Sequence, residues 1–205
     1  MLQIKAVQLN TREPFTWASG LRSPIYCDNR KILSYPEIRN EVIQGLVEKT
    51  SAYGAVNAIA GVATAGIAWG AYLADRLQLP FVYVRSKPKE HGLKNRLEGE
   101  LPPGSQVLVV EDLVSTGGSS LDAVQALAES GQQISGLVSI FQYGFYSANA
   151  AFQQKQIPFF SLTDFPRLLE RALQLRYINQ TEYDNLSTWN ADPQSWSSDF
   201  QAQHA

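Results

Sequence analysis

Two clusters of charged residues in this sequence have types and spacing that suit ligand binding. Glu111 and Asp112 are adjacent carboxylates, and a loop of small residues, Ser-Thr-Gly-Gly-Ser at 115–119, follows them. Such a loop, leading into a helix, presents backbone N–H groups that favour a phosphate, and its glycines let the anion approach closely. The carboxylates would repel that anion, so they need a different partner. Sugar hydroxyls or a divalent metal ion would satisfy them.

The second cluster is basic. Five of the 17 lysines and arginines lie between Arg85 and Arg96, in a chain whose net charge is −2. His91, one of only two histidines, lies within this run. Pro88, Gly92 and Gly99 predict a loop here and not a helix. A basic loop is most often a solvated surface, and the alternative is that it contacts an anionic ligand.

Alternating strands and helices would position these clusters. Short apolar runs predict strands at residues 56–60, 81–84, 107–110, 134–141 and 158–162. Helical spacing or capping residues predict helices from Pro36, after a glycine turn at Gly61, after the loop 115–119, at 147–156, after Thr163 or Asp164, and from Thr181. This order predicts an α/β fold, a mainly parallel sheet flanked by helices. Right-handed crossovers would gather the strand carboxyl ends, and so both clusters, at one edge of the sheet.

Composition indicates one ordinary globular domain. The chain has 205 residues, of which 44% are hydrophobic and 18% charged. The slightly negative net charge argues against a general nucleic-acid binder. A single cysteine, Cys27, suits a reducing cytoplasm, and the N-terminal residues do not have the pattern of a signal peptide. The uncharged residues 52–74 are long enough to span a membrane, but their alanines and glycines favour a strand, a turn and a helix of the core.

The terminal segments are predicted to lie outside the sheet. We expect a helix in the first ten residues and a hairpin within residues 15–31. Residues 192–205 are rich in Ser and Gln, and we expect them to fray beyond Trp196. The predicted organisation is therefore one domain, with an N-terminal hood at 1–34, an α/β core at 35–180, and a C-terminal helix and tail at 181–205.

Residues 107–120, VLVVEDLVSTGGSS, resemble the phosphoribosyl-diphosphate (PRPP) motif of the type I phosphoribosyltransferases. Residues 15–31 resemble the N-terminal hood of the orotate-specific members, and RSKPKEHG at 85–92 resembles their catalytic loop. The resemblance implies a type I phosphoribosyltransferase core with a small N-terminal hood. It implies transfer of phosphoribose from PRPP to orotate, which yields orotidine 5′-monophosphate and pyrophosphate in pyrimidine biosynthesis. No lysine follows the glycines of the motif, which argues against an NTPase loop.

The resemblance also assigns roles to individual residues. It implies that the acidic pair binds the ribose hydroxyls, that the loop wraps the 5′-phosphate, and that Ser115 contacts orotate. The implied catalytic residues are Arg85, Lys89 and His91. The implied PRPP-binding residues are Arg85, Lys89, His91, Glu111, Asp112, Leu113, Val114, Ser115, Thr116, Gly117, Gly118 and Ser119. Residues 62–65 match the pyrophosphate-binding loop of the family, although close helix–strand packing explains their small side chains equally well.

Cofactor and assembly are implied in the same way. We expect Mg²⁺, bound through the substrate without assigned protein ligands, and a cytoplasmic homodimer in which the loop 85–98 is shared between subunits. Two family lysines are replaced here by Ala18 and Ser86, and the nearest basic residues are Arg22 and Lys87. Two alternatives stay open. A transferase for another base would share the PRPP motif without the hood, and a PRPP-sensing regulator would lack the basic loop.

Overall fold

The computed structural model describes residues 1–17, 19–87 and 96–203. Contacts between residues divide the chain into two compact units. Residues 1–34 and 163–205 form the terminal unit, and residues 35–162 form the α/β unit. The predicted boundary after residue 34 coincides with this division. Residues 163–180, which we assigned to the core, belong to the terminal unit instead. That the whole chain acts as one domain stays a prediction.

The N-terminal part of the terminal unit consists of four short strands. They are β1 (Val7–Leu9), β2 (Phe15–Thr16), β3 (Arg22–Ser23) and β4 (Ile25–Cys27). β1 pairs antiparallel with β4, and β2 with β3, so the hairpin predicted within residues 15–31 is confirmed. The helix predicted in the first ten residues is wrong. Val7–Leu9 is extended because it pairs with residues distant in sequence, and such pairing overrides local propensity.

The α/β unit alternates helices and strands. Its elements are α1 (Pro36–Thr50), β5 (Ala58–Val62), α2 (Gly66–Leu77), β6 (Phe81–Val84), β7 (Leu97–Glu98), β8 (Gln106–Val114), α3 (Gly118–Glu129), β9 (Gln133–Gln142), α4 (Tyr146–Gln154) and β10 (Phe159–Asp164), whose last two residues fall in the terminal unit. The strand predicted at 81–84 has its predicted bounds. The strand predicted at 107–110 is longer than expected, because pairing with β9 continues past Glu111 to Val114.

The six strands form one sheet in the order β10-β9-β8-β5-β6-β7. β9, β8, β5 and β6 run parallel, and β7 is antiparallel to β6, so the predicted, mainly parallel sheet is confirmed. Each residue from Val107 to Val110 is fully buried. Because successive residues of a strand point to opposite faces, this burial shows that both faces of the sheet are covered.

The first core strand begins two residues later than predicted. We expected a strand at 56–60 and a turn at Gly61, but Gly61 lies inside β5 and pairs with Tyr83 and Val110. A Cβ atom at Gly61 would lie 2.7 Å from the carbonyl oxygen of Gly66. This glycine therefore permits close packing of α2 on the sheet. In the sequence alone, such a glycine looks the same as one that marks a turn.

Three helices complete the terminal unit: α5 (Phe165–Gln174), α6 (Gln180–Ala191) and α7 (Pro193–Gln203). The predicted cap at Asp164 is confirmed, because its Oδ1 accepts a hydrogen bond from the Arg167 N–H at 3.0 Å. Phe165 packs against Trp189 of α6, with 5.3 Å between ring centroids. This contact ties α5 to the C-terminal helices and explains why residues 163–180 group with them.

The fraying predicted beyond Trp196 is wrong, since α7 continues to Gln203. Asp192 accepts the Ser195 N–H at 3.0 Å, and Trp196 stacks on Phe200 at 5.4 Å. A cap and an aromatic pair thus stabilise a segment whose composition suggests disorder. None of the helices in the described ranges has the length and hydropathy of a bilayer-spanning segment.

Candidate active site

The sheet topology defines a crevice at the carboxyl ends of the parallel strands. β5 leads through α2 to β6 on one side, while β8 leads through α3 to β9 on the other. β5 and β8 are neighbours, so their connections diverge from adjacent strand ends. Open α/β sheets bind their ligands at such a switch point. The connections at 63–65 and 115–117 therefore flank the candidate active site.

The acidic pair lies near the end of β8 and not in the loop. Glu111 is only 6% exposed, whereas Asp112 is partly exposed. Glu111 Oε1 accepts a hydrogen bond from the Asp112 N–H at 3.0 Å. Because the two residues are consecutive in a strand, their side chains leave opposite faces of the sheet. The sequence predicts that the two adjacent carboxylates act together on the ribose, and the structure gives them different environments.

Burial raises the pKa of the Glu111 carboxyl well above its ordinary value of 4.5. Loss of hydration is the main cause, because an ionised carboxylate is poorly accommodated away from water. The negative charge of the neighbouring Asp112 adds to the rise, while the Ser120 hydroxyl, near the Glu111 carboxyl, opposes it. At neutral pH the pair therefore favours a single negative charge, with Glu111 as the more readily protonated member.

The loop after β8 presents backbone donors to the crevice. Gly117 precedes α3 and has a φ of +82°, a conformation that favours glycine. Among the described residues, no side chain caps this helix start by accepting a hydrogen bond from its first-turn N–H groups, so the helix dipole and these donors can act on an anion. A Cβ atom at Gly118 would meet nothing within 4 Å. The predicted loop thus has open space at its helix terminus.

The connection after β5 approaches the acidic pair through glycine packing. α2 begins at Gly66, where a Cβ atom would lie 2.5 Å from the Val110 carbonyl oxygen and 3.4 Å from the Glu111 Cα. The start of α2 therefore rests against β8, directly beside the carboxylates. This geometry supports the packing interpretation of the small residues at 62–65, and it also places Thr64 and Ala65 at the crevice.

Arg85 is the first residue after β6, so it leaves the sheet at the same edge. Its N–H donates to the Arg96 carbonyl oxygen at 2.8 Å, and its Nη1 lies 3.4 Å from Glu98 Oε1. Ser86 and Lys87 are exposed. Lys89 and His91 lie outside the described residues, so their predicted roles are not tested by the structure.

The substitute proposed for the missing hood lysine is engaged within the terminal unit. The Arg22 N–H donates to Ser197 Oγ at 2.9 Å, and its Nη1 donates to Thr16 Oγ1 at 2.9 Å. Ala18 is outside the described residues. A contact between Arg22 and PRPP stays a prediction.

Sequence reasoning missed two buried serines around Glu111. Ser120 lies in the first turn of α3, and Ser139 is the β9 residue paired with Glu111. Both are buried, and Ser139 Oγ donates to the Phe141 carbonyl oxygen at 3.1 Å. The available signal was the interruption of the apolar run 137–141 by Ser139, whereas Ser120 lies in a run of small polar residues that gives no such signal. Gln142 follows shortly after, and its Nε2 donates to Ser161 Oγ at 2.8 Å.

Comparisons with known proteins identify the family to which this fold belongs. Residues 32–151 match the family described as the phosphoribosyl transferase domain. The chain is 50% identical over 200 residues to the orotate phosphoribosyltransferase of Bacteroides thetaiotaomicron, covering 96% of this chain and 93% of that protein. It is 52% identical over 196 residues to the Bacillus pumilus enzyme of the same name, covering 95% and 92%.

Structural comparison gives the same result. The crystal structure of orotate phosphoribosyltransferase from Aeropyrum pernix superposes with a TM-score of 0.75 at 29% identity, covering 87% of this chain and 97% of that one. The fold is that of a type I phosphoribosyltransferase. Within that class, the chain belongs to the orotate phosphoribosyltransferase family.

Proposed function

We propose that the protein transfers the 5-phosphoribosyl group from PRPP to orotate, giving orotidine 5′-monophosphate and pyrophosphate. This is the orotate phosphoribosyltransferase reaction of pyrimidine biosynthesis, and it is the activity named for the relatives that are about 50% identical. The observation that carries the proposal is the acidic pair at the end of β8, directly ahead of an uncapped helix start at the switch point of the sheet.

The two parts of this connection suit the two polar parts of the sugar phosphate. Glu111 and Asp112 would accept hydrogen bonds from the ribose hydroxyls. Because these hydroxyls are uncharged, they would not repel the acidic pair as a phosphate would. Residues 113–119 would hold the 5′-phosphate through backbone N–H groups and the dipole of α3. Ser115, directly after β8, would also contact orotate, as the family resemblance implies.

The leaving pyrophosphate needs positive charge. Breaking the bond between ribose C1 and pyrophosphate leaves negative charge on the leaving group and positive charge on the ribose ring. Arg85, Lys89 and His91 would stabilise the leaving group, and residues 62–65 would contact it through backbone donors and the Thr64 hydroxyl. Positioning and electrostatic stabilisation are then the main sources of rate enhancement. The ionised member of the acidic pair would favour the developing positive charge on the ribose.

The donor set of the site fits Mg²⁺ that is held mainly by the substrate. Within residues 1–17, 19–87 and 96–203, no three His, Cys, Asp or Glu side chains group to hold a metal ion. Mg²⁺ commonly keeps several waters and binds one or two carboxylates together with substrate phosphates. Asp112, the more exposed carboxylate, would be the protein's contribution. The bound ion would supply neutralisation of pyrophosphate charge.

We further propose a cytoplasmic homodimer in which the loop 85–98 acts on the partner's site. The single cysteine is consistent with a reducing compartment, and the family resemblance supports the shared loop. Mixing Lys89→Ala subunits with Asp112→Asn subunits tests this arrangement, because each variant retains what the other has lost. Recovery of activity after verified subunit exchange is expected, and an inactive mixture would exclude action across the dimer.

The base specificity provides the main test. The protein is incubated with PRPP and Mg²⁺ together with orotate, adenine, guanine or uracil, and pyrophosphate release is measured. We expect release with orotate alone. Turnover with a purine and none with orotate would instead assign the protein to another base. PRPP binding without turnover of any base would identify a regulator.

A further inference from the structure

Glu111 leaves β8 on the face of the sheet that α3 covers. It follows Val107 and Val109 in the strand, and alternate residues of a strand point to the same face. Both valines are fully buried in one apolar cluster with Val124 and Leu127 of α3. The Glu111 side chain therefore lies on the side of the sheet on which α3 packs, and only 6% of the residue is exposed.

Ser120 is the residue of α3 that lies beside this carboxyl. It is in the first turn of the helix and is 1% exposed. Its Oγ atom is buried and makes no hydrogen bond of good geometry within the described part of the chain. The hydroxyl nevertheless lies near enough to the Glu111 carboxyl to favour its ionised form and lower its pKa. A buried hydroxyl without a regular partner is uncommon, and this one adjoins a buried carboxyl.

The usual structural role of a helical serine does not account for Ser120. Such a hydroxyl commonly donates to a carbonyl three or four residues earlier, as Ser130 at the end of α3 does to Leu127 at 2.7 Å. Within residues 1–17, 19–87 and 96–203, Ser120 has no such bond. Alanine would favour the helix more and would leave no hydroxyl to bury. Helix stability therefore gives no reason for a hydroxyl at this position.

A hydroxyl does suit a carboxyl that can change its protonation state. It donates to a carboxylate and accepts from the O–H of a protonated carboxyl, because it has one donor and two acceptor positions. Glu111 Oε1 already accepts the Asp112 N–H at 3.0 Å. A second contact, with Ser120, would fix the rotation of the carboxyl group. The remaining acceptor positions of Glu111 would then point in one direction.

We propose that Ser120 is a positioning residue for the ribose site, and that its hydroxyl holds the Glu111 carboxyl in the orientation that accepts the ribose hydroxyls of PRPP. The proposal rests on the proposed function, because it acts through the role assigned there to Glu111. Ser120 touches no substrate in this account. Ser120, Glu111 and the loop after β8 all belong to the α/β unit of one chain, so the role of Ser120 does not depend on which subunit supplies the loop 85–98.

Calorimetric titration with PRPP and Mg²⁺, without orotate, tests the proposal. Ser120→Ala should weaken PRPP binding by about threefold to tenfold, the range for one hydrogen bond. The kcat with orotate at saturating PRPP should change by less than about twofold, because Glu111 binds the ribose equally in the ground state and the transition state. In a Glu111→Ala background, Ser120→Ala should cause no further loss of affinity, since the group that it positions is absent.

Ser130→Ala is the matched control. It removes a hydroxyl from the other end of α3, where the partner is the backbone. Its PRPP affinity should equal that of the wild type. A merely structural role for Ser120 would change the urea midpoint of Ser120→Ala and leave the affinity of the folded protein unaltered, which would overturn the proposal. Losses that multiply in the double variant with Glu111→Ala would also overturn it.

Failure of the proposed function gives different results. Wild-type PRPP affinity in Glu111→Ala would remove Glu111 from the proposed ribose site, and the positioning role would fall with it. A wild type that binds PRPP but turns over no orotate would reject the proposed function. The predicted loss of PRPP affinity in Ser120→Ala would still support the positioning role, because that titration contains no base.

Discussion

The connections that follow β8 and β6 leave the same edge of the sheet but provide different means of holding an anion. β8 runs into α3, so backbone N–H groups and a helix dipole are available without any basic side chain. After β6, the described residues 85–87 are not helical, and the next described element is the antiparallel strand β7. An anion bound there would need positive charge from side chains such as Arg85. A fixed backbone site suits the unchanging 5′-phosphate, whereas side-chain charge suits a group that departs. Substitutions in the connection after β8 should therefore mainly change PRPP affinity, whereas substitutions in the connection after β6 should mainly change kcat.

Lys89→Ala should produce the largest effect. If Lys89 meets the departing pyrophosphate mainly in the transition state, its loss should lower kcat by roughly 10² to 10³. PRPP affinity should change much less, because the interaction is absent from the ground state. Steady-state kinetics and calorimetry with Mg²⁺ measure the two quantities. Lys155→Ala, at the exposed end of α4, is the control. Full activity in Lys89→Ala would show that the basic segment is only a solvated surface.

Asp112→Asn should show the opposite pattern. Losing an ionised acceptor for the ribose hydroxyls should weaken PRPP binding by about tenfold to a hundredfold, the range for hydrogen bonds to charged groups. The melting temperature should stay unchanged, because Asp112 is only partly buried. Calorimetric titration with PRPP and Mg²⁺ measures the affinity, and Asp75→Asn on the exposed side of α2 controls for the charge change. Equal affinities in Asp112→Asn and wild type would remove Asp112 from the ribose site.

The sequence predicts the β8 connection better than the β6 connection because its structure is local. An apolar run, two carboxylates and a glycine loop are consecutive, and each part has a strong positional preference. Arg96 Nη1 donates to Asp122 Oδ1 at 3.0 Å, but the two residues are 26 positions apart, so no local pattern indicates this contact. β1 depends on pairing with β4, so the helix predicted in the first ten residues is wrong. Gly61 lies inside β5 because α2 packs closely on it, so the turn predicted at Gly61 is also wrong. The unequal environments of Glu111 and Asp112 also required the surrounding structure, since Ser120 and Ser139 lie on other elements.

Glu111→Gln should change the pH dependence of stability. The folded-state pKa of Glu111 is raised above 4.5, so above that pH the folded protein retains a proton that the unfolded chain has lost. Raising the pH from 4.5 towards the raised pKa of Glu111 therefore lowers the stability of the folded wild type. A neutral glutamine at this position removes this pH-dependent loss. The stability of Glu111→Gln relative to wild type should rise with pH, at most tenfold per pH unit in the unfolding equilibrium constant. Urea unfolding between pH 5 and 8 measures it, with Glu129→Gln as the exposed control. Parallel curves for wild type and Glu111→Gln would contradict the raised pKa.

The smallest expected effect distinguishes the two glycines of the loop after β8. Gly117 has a φ of +82°, and a Cβ atom there would lie 3.0 Å from Phe152 Cε2, so Gly117→Ala combines backbone strain with a tight contact. We expect a loss of about 1 to 2 kcal/mol in the free energy of unfolding, the cost of left-handed backbone for a residue with a Cβ atom. Gly118 lies in the first turn of α3, where a Cβ atom meets open space. Gly118→Ala should therefore be neutral or stabilising by up to about 1 kcal/mol, because alanine favours the helix. Urea unfolding of the two variants, compared at one pH, measures the difference. Equal stabilities would show that the loop after β8 relaxes freely. Its backbone N–H groups would then not form a fixed phosphate site before PRPP binds.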